Sequence, residues 1–490
     1  MKNNLLLAAA FLLLPATLSA QKDSLKAVIE KQPANVEAHN EYVKLMNSDS
    51  TGLVKQYQLW LKKFPKTAAV PYGLGSFYAN RDDPAARPYL LKAVTLDPKL
   101  AEAWFDLWCD GQCRGDFKKS DEYMANAVKF APDNSTYLTY YAFSLLETNP
   151  AKADELIEIL HSKFPQTERW AQMLYWKAFY TADQQQRIDV YEQLRKNVPM
   201  ANSTWAVSGM RDYLDLLLSI DAGAAAKMAT TLLQQPGLDS SKMAVLQPIK
   251  QLSFAFVQVQ TLLAAHQPAA ANEALKGLTV DTWSTEPQNL CLLKGRVALE
   301  AGGPKQAYDT LVANYIKYPT RRLKDTLLYY GGKAGKAETT IYQEIKQQLI
   351  SGAQQADFKL EPYLSSGQVS MSDYKGKVVL LTFWFPACGP CREEFPHFEK
   401  VLKGFREQPV SYVGINMVPK QDPYVIPFMK SSGYSFTPLK VDRANMHNLP
   451  GYGAPTNYLI DQDGRIIFKN FRIYDKDTEQ MLQDMIQLLL

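Results

Sequence analysis

The fold of the C-terminal part is decided by residues 378–395, which read VVLLTFWFPACGPCREEF. The first six of these residues are apolar except for Thr382, a pattern that is typical of a strand buried on both faces. Residues 392–395 are polar and favour a helix. The sequence therefore predicts a Cys-x-x-Cys pair, Cys388 and Cys391, at the point where a central strand turns into the N-terminus of a helix.

This position predicts reactive thiols. The thiolate is the nucleophilic form of cysteine, and the positive end of a helix with its free N–H groups stabilises an anion. Cys388 lies nearest to the helix end, so we expect it to be the exposed nucleophile. Cys391 follows one turn later, and we expect it to resolve a mixed disulfide.

The sequence argues against three other uses of the cysteine pair. Zinc would need two more ligands, but there is no second Cys-x-x-Cys and His397 lies only six residues further on. Haem attachment would need His directly after the second cysteine, where Arg392 stands. A peroxidase would need a hydroxyl residue three positions before the first cysteine, where Phe385 stands. A structural disulfide remains as the alternative to a redox pair, and no metal is predicted.

Several further segments carry a family resemblance. They are ADFKL (356–360), VSMSDYKGKVV (369–379), Pro396, GAPT (453–456), NYLI (457–460), DQDG (461–464) and RIIF (465–468). With the cysteine motif, residues 356–490 resemble the thioredoxin superfamily in its extracytoplasmic TlpA/ResA-like branch. The resemblance implies a hairpin before the central strand, a final hairpin, and an α/β thioredoxin fold.

The resemblance also implies roles for single residues. Pro455 matches the proline that is cis in this superfamily and packs beside the nucleophilic sulfur, although an ordinary trans turn proline is the alternative. The backbone of Ala454 would pair with an extended substrate. Trp384 matches a family aromatic, either at the substrate-binding surface or packed under the active site.

Glu394 stands where the ResA-like branch has an acidic residue near the thiols, and it could exchange a proton with the resolving thiol. The alternative is an exposed helix carboxylate, which we expect of its neighbour Glu393. Two departures from the family matter. Thr382 stands where thioredoxin has a buried acid, and Ala387 replaces the usual Trp, which reduces the docking surface beside Cys388.

Residues 1–20 have the pattern of a signal peptide, with Lys2, an apolar stretch over 5–14 and Ser19-Ala20 at the expected cleavage point. We therefore expect a soluble exported protein, periplasmic in a bacterium, with no stable membrane insertion after cleavage. An uncleaved N-terminal anchor is the alternative. Five cysteines are too few for a disulfide scaffold. Cys109 and Cys113 form either a local disulfide or two free thiols, and Cys291 is expected in the core.

The first 350 residues lack the alternation of strands and contain regularly spaced prolines. Pro33, Pro65, Pro98, Pro132, Pro165 and Pro199 are separated by 32, 33, 34, 33 and 34 residues. A period near 34 is typical of tetratricopeptide (TPR) repeats, which are stacked helix pairs. The period blurs after Pro199 and returns near 292–318. We predict a signal peptide at 1–20, a TPR-like helical solenoid at 21–350, a linker at 351–355 and a thioredoxin-like domain at 356–490.

These features together predict an exported enzyme, a thiol-disulfide oxidoreductase that reduces or isomerises disulfides in protein substrates. No cofactor is required, but electrons must come from another dithiol carrier, which the resemblance implies is a membrane thiol transporter. The helical repeats would bind a protein segment. The net charge of +4 and the lack of a dense basic run argue against nucleic-acid binding. The alternative is an envelope scaffold built on the repeats, with an accessory redox-sensing domain.

Overall fold

The computed structural model describes residues 20–165, 167–278, 280, 284–446, 448–449, 451 and 453–490. The predicted signal peptide lies outside these ranges except for Ala20. The described residues up to 351 form helices, and a mixed sheet follows, which confirms the predicted fold class. Among the described residues, none of the helices has both the length and the apolar character that crossing a membrane requires.

The helices of the first part are connected by short loops. They are α1 (20–31), α2 (Val36–Leu45), α3 (Ser50–Lys63), α4 (Ala69–Ala79), α5 (Ala86–Leu96), α6 (Ala101–Cys113), α7 (Phe117–Phe130), α8 (Ser135–Leu145), α9 (Pro150–Lys163), α10 (Glu168–Tyr180), α11 (Gln184–Asn197), α12 (Thr204–Ile220), α13 (Ala222–Leu233), α14 (Ser240–Ala264), α15 (Pro268–Ala274), α16 (Glu286–Tyr315), α17 (Arg321–Lys333) and α18 (Glu338–Ser351).

The evenly spaced prolines end the second helix of successive pairs. Each lies just after α1, α3, α5, α7, α9 or α11, where a residue without an N–H group cannot continue a helix. Side-chain caps start many of the next helices; the Asn35 side chain, for example, accepts from the Ala38 N–H at 3.0 Å. The helices continue beyond Pro199 although the period blurs there. Within α16 the chain breaks at Gly303, whose φ of 77° favours glycine, so that α16 is itself a helix pair.

Contacts divide the chain into two compact units. The first comprises the described residues up to Tyr141 with 385–387 and 418–434, and the second comprises 142–384, 388–417 and 435–490. In the first unit, α4 contacts α2, α3, α5 and α6, while α6 also contacts α7. In the second unit, α10, α12, α14 and α16 contact one another in succession, and the intervening helices pack against them. Both patterns are those of stacked helix pairs.

The C-terminal part alternates strands and helices. Its elements are β1 (Gln354–Gln355), β2 (Lys359–Leu360), β3 (Val369–Ser370), β4 (Val378–Trp384), α19 (Gly389–Lys403), β5 (Val410–Asn416), α20 (Asp422–Ser432), β6 (Thr437–Lys440), β7 (Thr456–Ile460), β8 (Arg465–Lys469) and α21 (Lys476–Leu489).

The main sheet has the strand order β1-β8-β7-β4-β5-β6. β4 is parallel to β5 and antiparallel to β7, and all seven of its residues are buried, as its apolar sequence predicts. The two predicted hairpins are present as β2–β3 and β7–β8. Gln354 and Gln355, within the segment predicted as a linker, form β1 and pair with β8. This topology places the C-terminal end of β4 beside the start of β7.

Candidate active site

The two cysteines of the motif form a disulfide at the start of α19. Cys388 is the N-cap of this helix, and its Sγ accepts from the Cys391 N–H at 3.2 Å. Cys388 is 3% exposed and Cys391 is 0% exposed. Cys388 is thus slightly more exposed than Cys391, but it is buried and not the exposed side chain that we expected, because the disulfide and this hydrogen bond hold Sγ against the first turn of α19.

The Ala454–Pro455 peptide bond is cis, as predicted from the sequence. β7 begins at the next residue, Thr456, which lies opposite Phe383 near the C-terminal end of β4. Cys388 follows β4 by four residues. The register therefore places Ala454 and Pro455 at the end of the sheet from which the cysteine segment leaves.

Trp384 is a packing residue rather than part of an open surface. It is 0% exposed, and its ring packs edge-on against Phe395 at 5.6 Å and Phe436 at 5.0 Å between centroids. Of the two interpretations taken from the sequence, packing under the active site fits this position, because direct contact with a substrate needs accessible surface.

Glu394 is buried one turn beyond Cys391 and is not an exposed helix carboxylate. Its carboxylate accepts from Arg472 Nε at 2.5 Å, from the Ile473 N–H at 3.0 Å and from Asn457 Nδ2 at 3.0 Å. Burial raises the pKa of Glu394 above its ordinary value, while Arg472 and the hydrogen bonds oppose the shift. A buried carboxyl that holds a proton more tightly than usual can exchange it with a neighbouring group.

Asn457 and Thr382 extend this polar cluster across the sheet. They lie directly opposite each other on β7 and β4, and both side chains are buried. Asn457 Nδ2 donates to Glu394 and to the Phe471 carbonyl at 2.9 Å. Thr382 Oγ1 and Asn457 Oδ1 have no hydrogen-bond partner in the part of the chain that the structure describes. Thr382, at the position where thioredoxin has a buried acid, thus places a hydroxyl beside the amide of Asn457.

Sequence reasoning missed Asn457 and Arg472 as neighbours of Glu394. A usable signal existed for Asn457, since a polar residue inside the apolar strand 457–460 is expected to have a buried partner. No comparable signal marks Arg472, which lies 78 residues from Glu394 in sequence.

Glu393 also differs from expectation. It is half-buried, burial raises its pKa, and it is hydrogen-bonded to the Tyr180 hydroxyl of α10. Phe179, beside Tyr180, packs against Tyr474 with ring centroids 5.5 Å apart. Helix α10 therefore contacts both the active-site helix and the segment that follows β8.

A second set of contacts reaches the residue before Cys388. The Ala387 N–H donates to Gln421 Oε1 at 2.9 Å, and Gln421 Nε2 donates to Asp82 Oδ2 at 3.2 Å. Nearby, the Tyr424 hydroxyl donates to the buried carboxylate of Asp110 at 2.9 Å. Residues of the N-terminal helices thus help to hold the loop that leads into the cysteine motif.

The remaining cysteines are not paired with one another. Cys109 is half-buried, Cys113 and Cys291 are buried, and none of the three is part of a disulfide in the described ranges. The Cys291 thiol donates to Asn314 Oδ1 at 3.3 Å, and burial raises its pKa to about 11. Within the described ranges, no group of three or more His, Cys, Asp or Glu side chains is placed to hold a metal ion.

Several known proteins are similar to the C-terminal part of this chain. The AhpC/TSA family model matches residues 351–469. The chain is 32% identical over 154 residues to the thiol-disulfide oxidoreductase ResA of Bacillus subtilis (strain 168), covering 31% of this chain and 83% of that protein. It is 33% identical over 134 residues to the thioredoxin-like protein YneN of the same organism, covering 26% and 76%. Among solved structures, it matches a thiol:disulfide interchange protein DsbE from Chlorobium tepidum at 28% identity, covering 28% of this chain and 97% of that chain with a TM-score of 0.25.

The sheet order and the disulfide at the start of α19 define the C-terminal part as a thioredoxin-like thiol-disulfide oxidoreductase domain. Through this domain, the chain belongs to the ResA family of thiol-disulfide oxidoreductases. The family model begins at residue 351, so it does not cover the helices that precede it.

Proposed function

We propose that this protein is an exported oxidoreductase that reduces or isomerises disulfides of protein substrates through Cys388-Gly389-Pro390-Cys391. The observation that carries the proposal is the Cys388–Cys391 disulfide at the N-terminus of α19, with a buried carboxyl one turn further on. The partly positive helix end stabilises a thiolate at Cys388.

The reaction transfers two electrons in two exchange steps. The Cys388 thiolate attacks one sulfur of the substrate disulfide, forms a mixed disulfide and expels the other substrate sulfur as a thiolate, which takes up a proton. The Cys391 thiolate then attacks Cys388 Sγ and expels the second substrate thiolate. The substrate leaves as a dithiol, and the enzyme is left with the Cys388–Cys391 disulfide.

Each surrounding residue has a role in these steps. Glu394 accepts the proton of Cys391 as that thiol becomes a nucleophile, which suits a buried carboxyl with a raised pKa. The backbone of Ala454, before cis Pro455, pairs with an extended substrate chain. Trp384 supports the motif from below through its packing.

The reducing direction is favoured by the dipeptide between the cysteines. Gly389-Pro390 is the dipeptide of thioredoxin, which has a reduction potential of about −270 mV, whereas an oxidising relative lies at about −120 mV. A reductant needs a supply of electrons. We assign that supply to a second dithiol carrier, such as a membrane thiol transporter, because the residues of this site provide only thiols.

We propose that the helical part binds a protein segment. We place this part at 21–350, between the signal peptide (1–20) and the linker (351–355). Half-buried aromatic side chains on α10 support this role, because such rings offer apolar contact area to a partner. The rings of Trp176 and Tyr175 lie 5.0 Å apart, and Phe179 contacts Tyr474 of the thioredoxin-like domain, which we place at 356–490. A bound substrate would thus be presented close to the dithiol.

The test is reduction of insulin disulfides by the full chain with dithiothreitol as the electron source. We expect Cys388→Ser to abolish the activity, and Cys391→Ser to accumulate a mixed disulfide with insulin. Cys109→Ser, the same substitution at a cysteine outside the motif, is the matched control and should leave the rate unchanged. If the parent protein fails to reduce insulin, the enzymatic function is wrong.

The same variant, Cys388→Ser, distinguishes the enzymatic function from the scaffold alternative. If Cys388→Ser binds its partner proteins as the parent does but lacks reductase activity, binding and redox chemistry are distinct functions of the two parts. The reduction potential of the full chain, measured by equilibration with glutathione, decides the direction. A value near about −270 mV supports a reductant, and a value near about −120 mV would make the protein an oxidant.

A further inference from the structure

A cavity of about 670 Å³ lies beside the segment that follows β8. Its walls are the first turn of α16 with the two residues before it, the loop between α16 and α17, the first turns of α17, residues 469–472 and 474–475, and the first turns of α21. This volume is within the range of ordinary ligand sites. We call it the basic cavity, because cationic side chains outnumber acidic ones on its walls.

The charges on these walls do not cancel. The cations are Lys317, Arg321, Arg322, Lys469 and Arg472, and the carboxylates are Asp325, Asp475 and Asp477.

The carboxylates already have partners. Asp477 lies 3.2 Å and Asp325 3.9 Å from Arg321, and Asp475 accepts from the Thr478 N–H at 2.8 Å as the cap of α21. No ion pair is formed by Lys317, Arg322 or Lys469 with any residue in the described ranges. The cavity therefore offers an excess of positive charge to a ligand.

The same wall also supports the active-site carboxyl. Residues 469–472 line the cavity, and this segment supplies Phe471 O to Asn457 and Arg472 Nε to Glu394. The next residue, Ile473, donates its N–H to Glu394. A group that enters the cavity therefore contacts the segment that holds Glu394 in place.

We propose that the basic cavity binds a short acidic segment of a polypeptide, and that its occupancy is coupled to Glu394 through Arg472. The coupling rests on the redox function proposed above, whereas the binding does not. The carboxylates of the segment would meet Lys317, Arg322 and Lys469. The rings of Tyr318 and Tyr474 on the same walls would pack on its apolar side-chain stems.

The coupling has a defined direction. An acidic ligand competes with Glu394 for the Arg472 guanidinium. When the ligand binds, the positive charge of Arg472 no longer fully neutralises the buried Glu394 carboxylate. The pKa of Glu394 then rises further, so at a given pH fewer molecules carry the deprotonated carboxylate that can accept the proton of Cys391. The coupling between ligand binding and the charge of Glu394 acts in both directions. Removing the charge of Glu394 must therefore strengthen binding of the acidic segment.

Binding is tested with a fluorescein-labelled hexaglutamate peptide and the full chain, followed by fluorescence anisotropy. We expect saturable binding that weakens with salt, and a loss of about tenfold in affinity for Lys469→Glu or Arg322→Glu. The control is Lys227→Glu, an equal charge change at an exposed site on α13. If binding does not saturate, or if the control variant loses as much affinity, the basic cavity is not the binding site. Displacement of the peptide by an equal concentration of free glutarate overturns the polypeptide assignment.

The coupling is tested with Glu394→Gln in the same assay. This variant frees Arg472 from its ion pair, so we expect it to bind hexaglutamate several-fold more tightly than the parent. Unchanged affinity overturns the coupling. Insulin reduction without peptide is measured in parallel. A protein that reduces insulin but does not bind the peptide disproves only this inference, and one that binds the peptide but does not reduce insulin disproves only the proposed function.

Discussion

Thr382 and Asn457 lie directly opposite each other on β4 and β7, and the Asn457 amide donates on to Glu394 at 3.0 Å. Side chains that are opposite in an antiparallel pair share one face of the sheet. The strand register therefore brings a hydroxyl and an amide to one face, and the carboxyl is held there from α19. In this chain the buried carboxyl of this cluster is carried by α19, while the central strand contributes a hydroxyl.

The first prediction concerns the pH dependence of stability through Glu394. Folding raises its pKa above the ordinary value of 4.5, because burial disfavours the charged form. The native state then binds this proton more tightly than the unfolded state. The free energy of unfolding should therefore fall as the pH rises from 4.5 through the native pKa. Glu394→Gln cannot titrate, so the oxidised variant should lose less stability than the parent between pH 4.5 and pH 8 in urea unfolding.

Glu399→Gln is the control for this comparison, since Glu399 lies on the same helix near its other end. It should lose stability over the pH range as the parent does. A Glu394→Gln variant whose stability difference from the parent is constant with pH would contradict the role of burial at this carboxyl.

The second prediction concerns Gln421, which joins Ala387 to Asp82. Gln421→Ala leaves the Ala387 N–H without this acceptor and should destabilise the protein by about 1 kcal/mol. The loop before Cys388 should loosen, so the reduced Cys388 thiol should be alkylated faster by iodoacetamide. Asp82→Ala retains the Ala387–Gln421 bond and should cause a smaller increase. Equal alkylation rates in parent and Gln421→Ala would show that the bond does not restrain this loop.

The third prediction concerns the buried carboxylate of Asp110. Its oxygens lie 2.6 Å from Arg87 Nε, 2.9 Å from Arg114 Nε and 2.9 Å from the Tyr424 hydroxyl. Asp110→Ala removes the buried carboxylate that both guanidinium groups share and should destabilise the fold by about 3–5 kcal/mol. Tyr424→Phe removes one hydrogen bond to a charged group and should cost about 1.5–3 kcal/mol.

Urea unfolding measures both changes. Lys305→Ala serves as the contrast, because its ion pair with Asp309 is exposed and should make no measurable difference. If Asp110→Ala is as mild as this surface variant, the cluster does not contribute to stability.

The fourth prediction concerns His39, a buried residue of α2 whose pKa is lowered from 6.5 to about 4 by burial. The native state binds this proton less tightly than the unfolded state. The free energy of unfolding should therefore fall as the pH drops from 6.5 towards 4, by at most about 3 kcal/mol. His39→Gln removes this group, and its urea unfolding should show a shallower loss between pH 7 and pH 4. If both proteins lose stability equally between pH 7 and pH 4, the lowered pKa of His39 is wrong.

Much of the fold follows from local patterns. The apolar run at 378–383 predicts β4, the polar residues after Cys391 predict α19, and the cis bond before Pro455 follows from the family resemblance. The spaced prolines mark the ends of helices because a proline placed just after a helix has no N–H group with which to continue it. Patterns of this kind are visible because the residues that produce them are neighbours in sequence.

The surroundings of the site could not be predicted in the same way. Gln421 and Asp82 are 339 residues apart, and Tyr424 and Asp110 are 314 residues apart. No periodicity or spacing connects such pairs, since they meet only after the helices and the sheet have packed. The burial of Glu393 was missed for the same reason, because its partner Tyr180 comes from a distant helix.

The pairing of β1 with β8 has a consequence for dissecting the protein. β1 consists of two glutamines that begin three residues after the end of α18, and it covers the outer side of β8, which carries Ile466, Ile467 and Phe468. A fragment that starts at residue 356 would lack β1. Its β8 would then be an uncovered edge strand, which can form backbone hydrogen bonds with a second molecule. A fragment that starts at Ala353 retains the short polar strand and should stay monomeric where the shorter fragment self-associates.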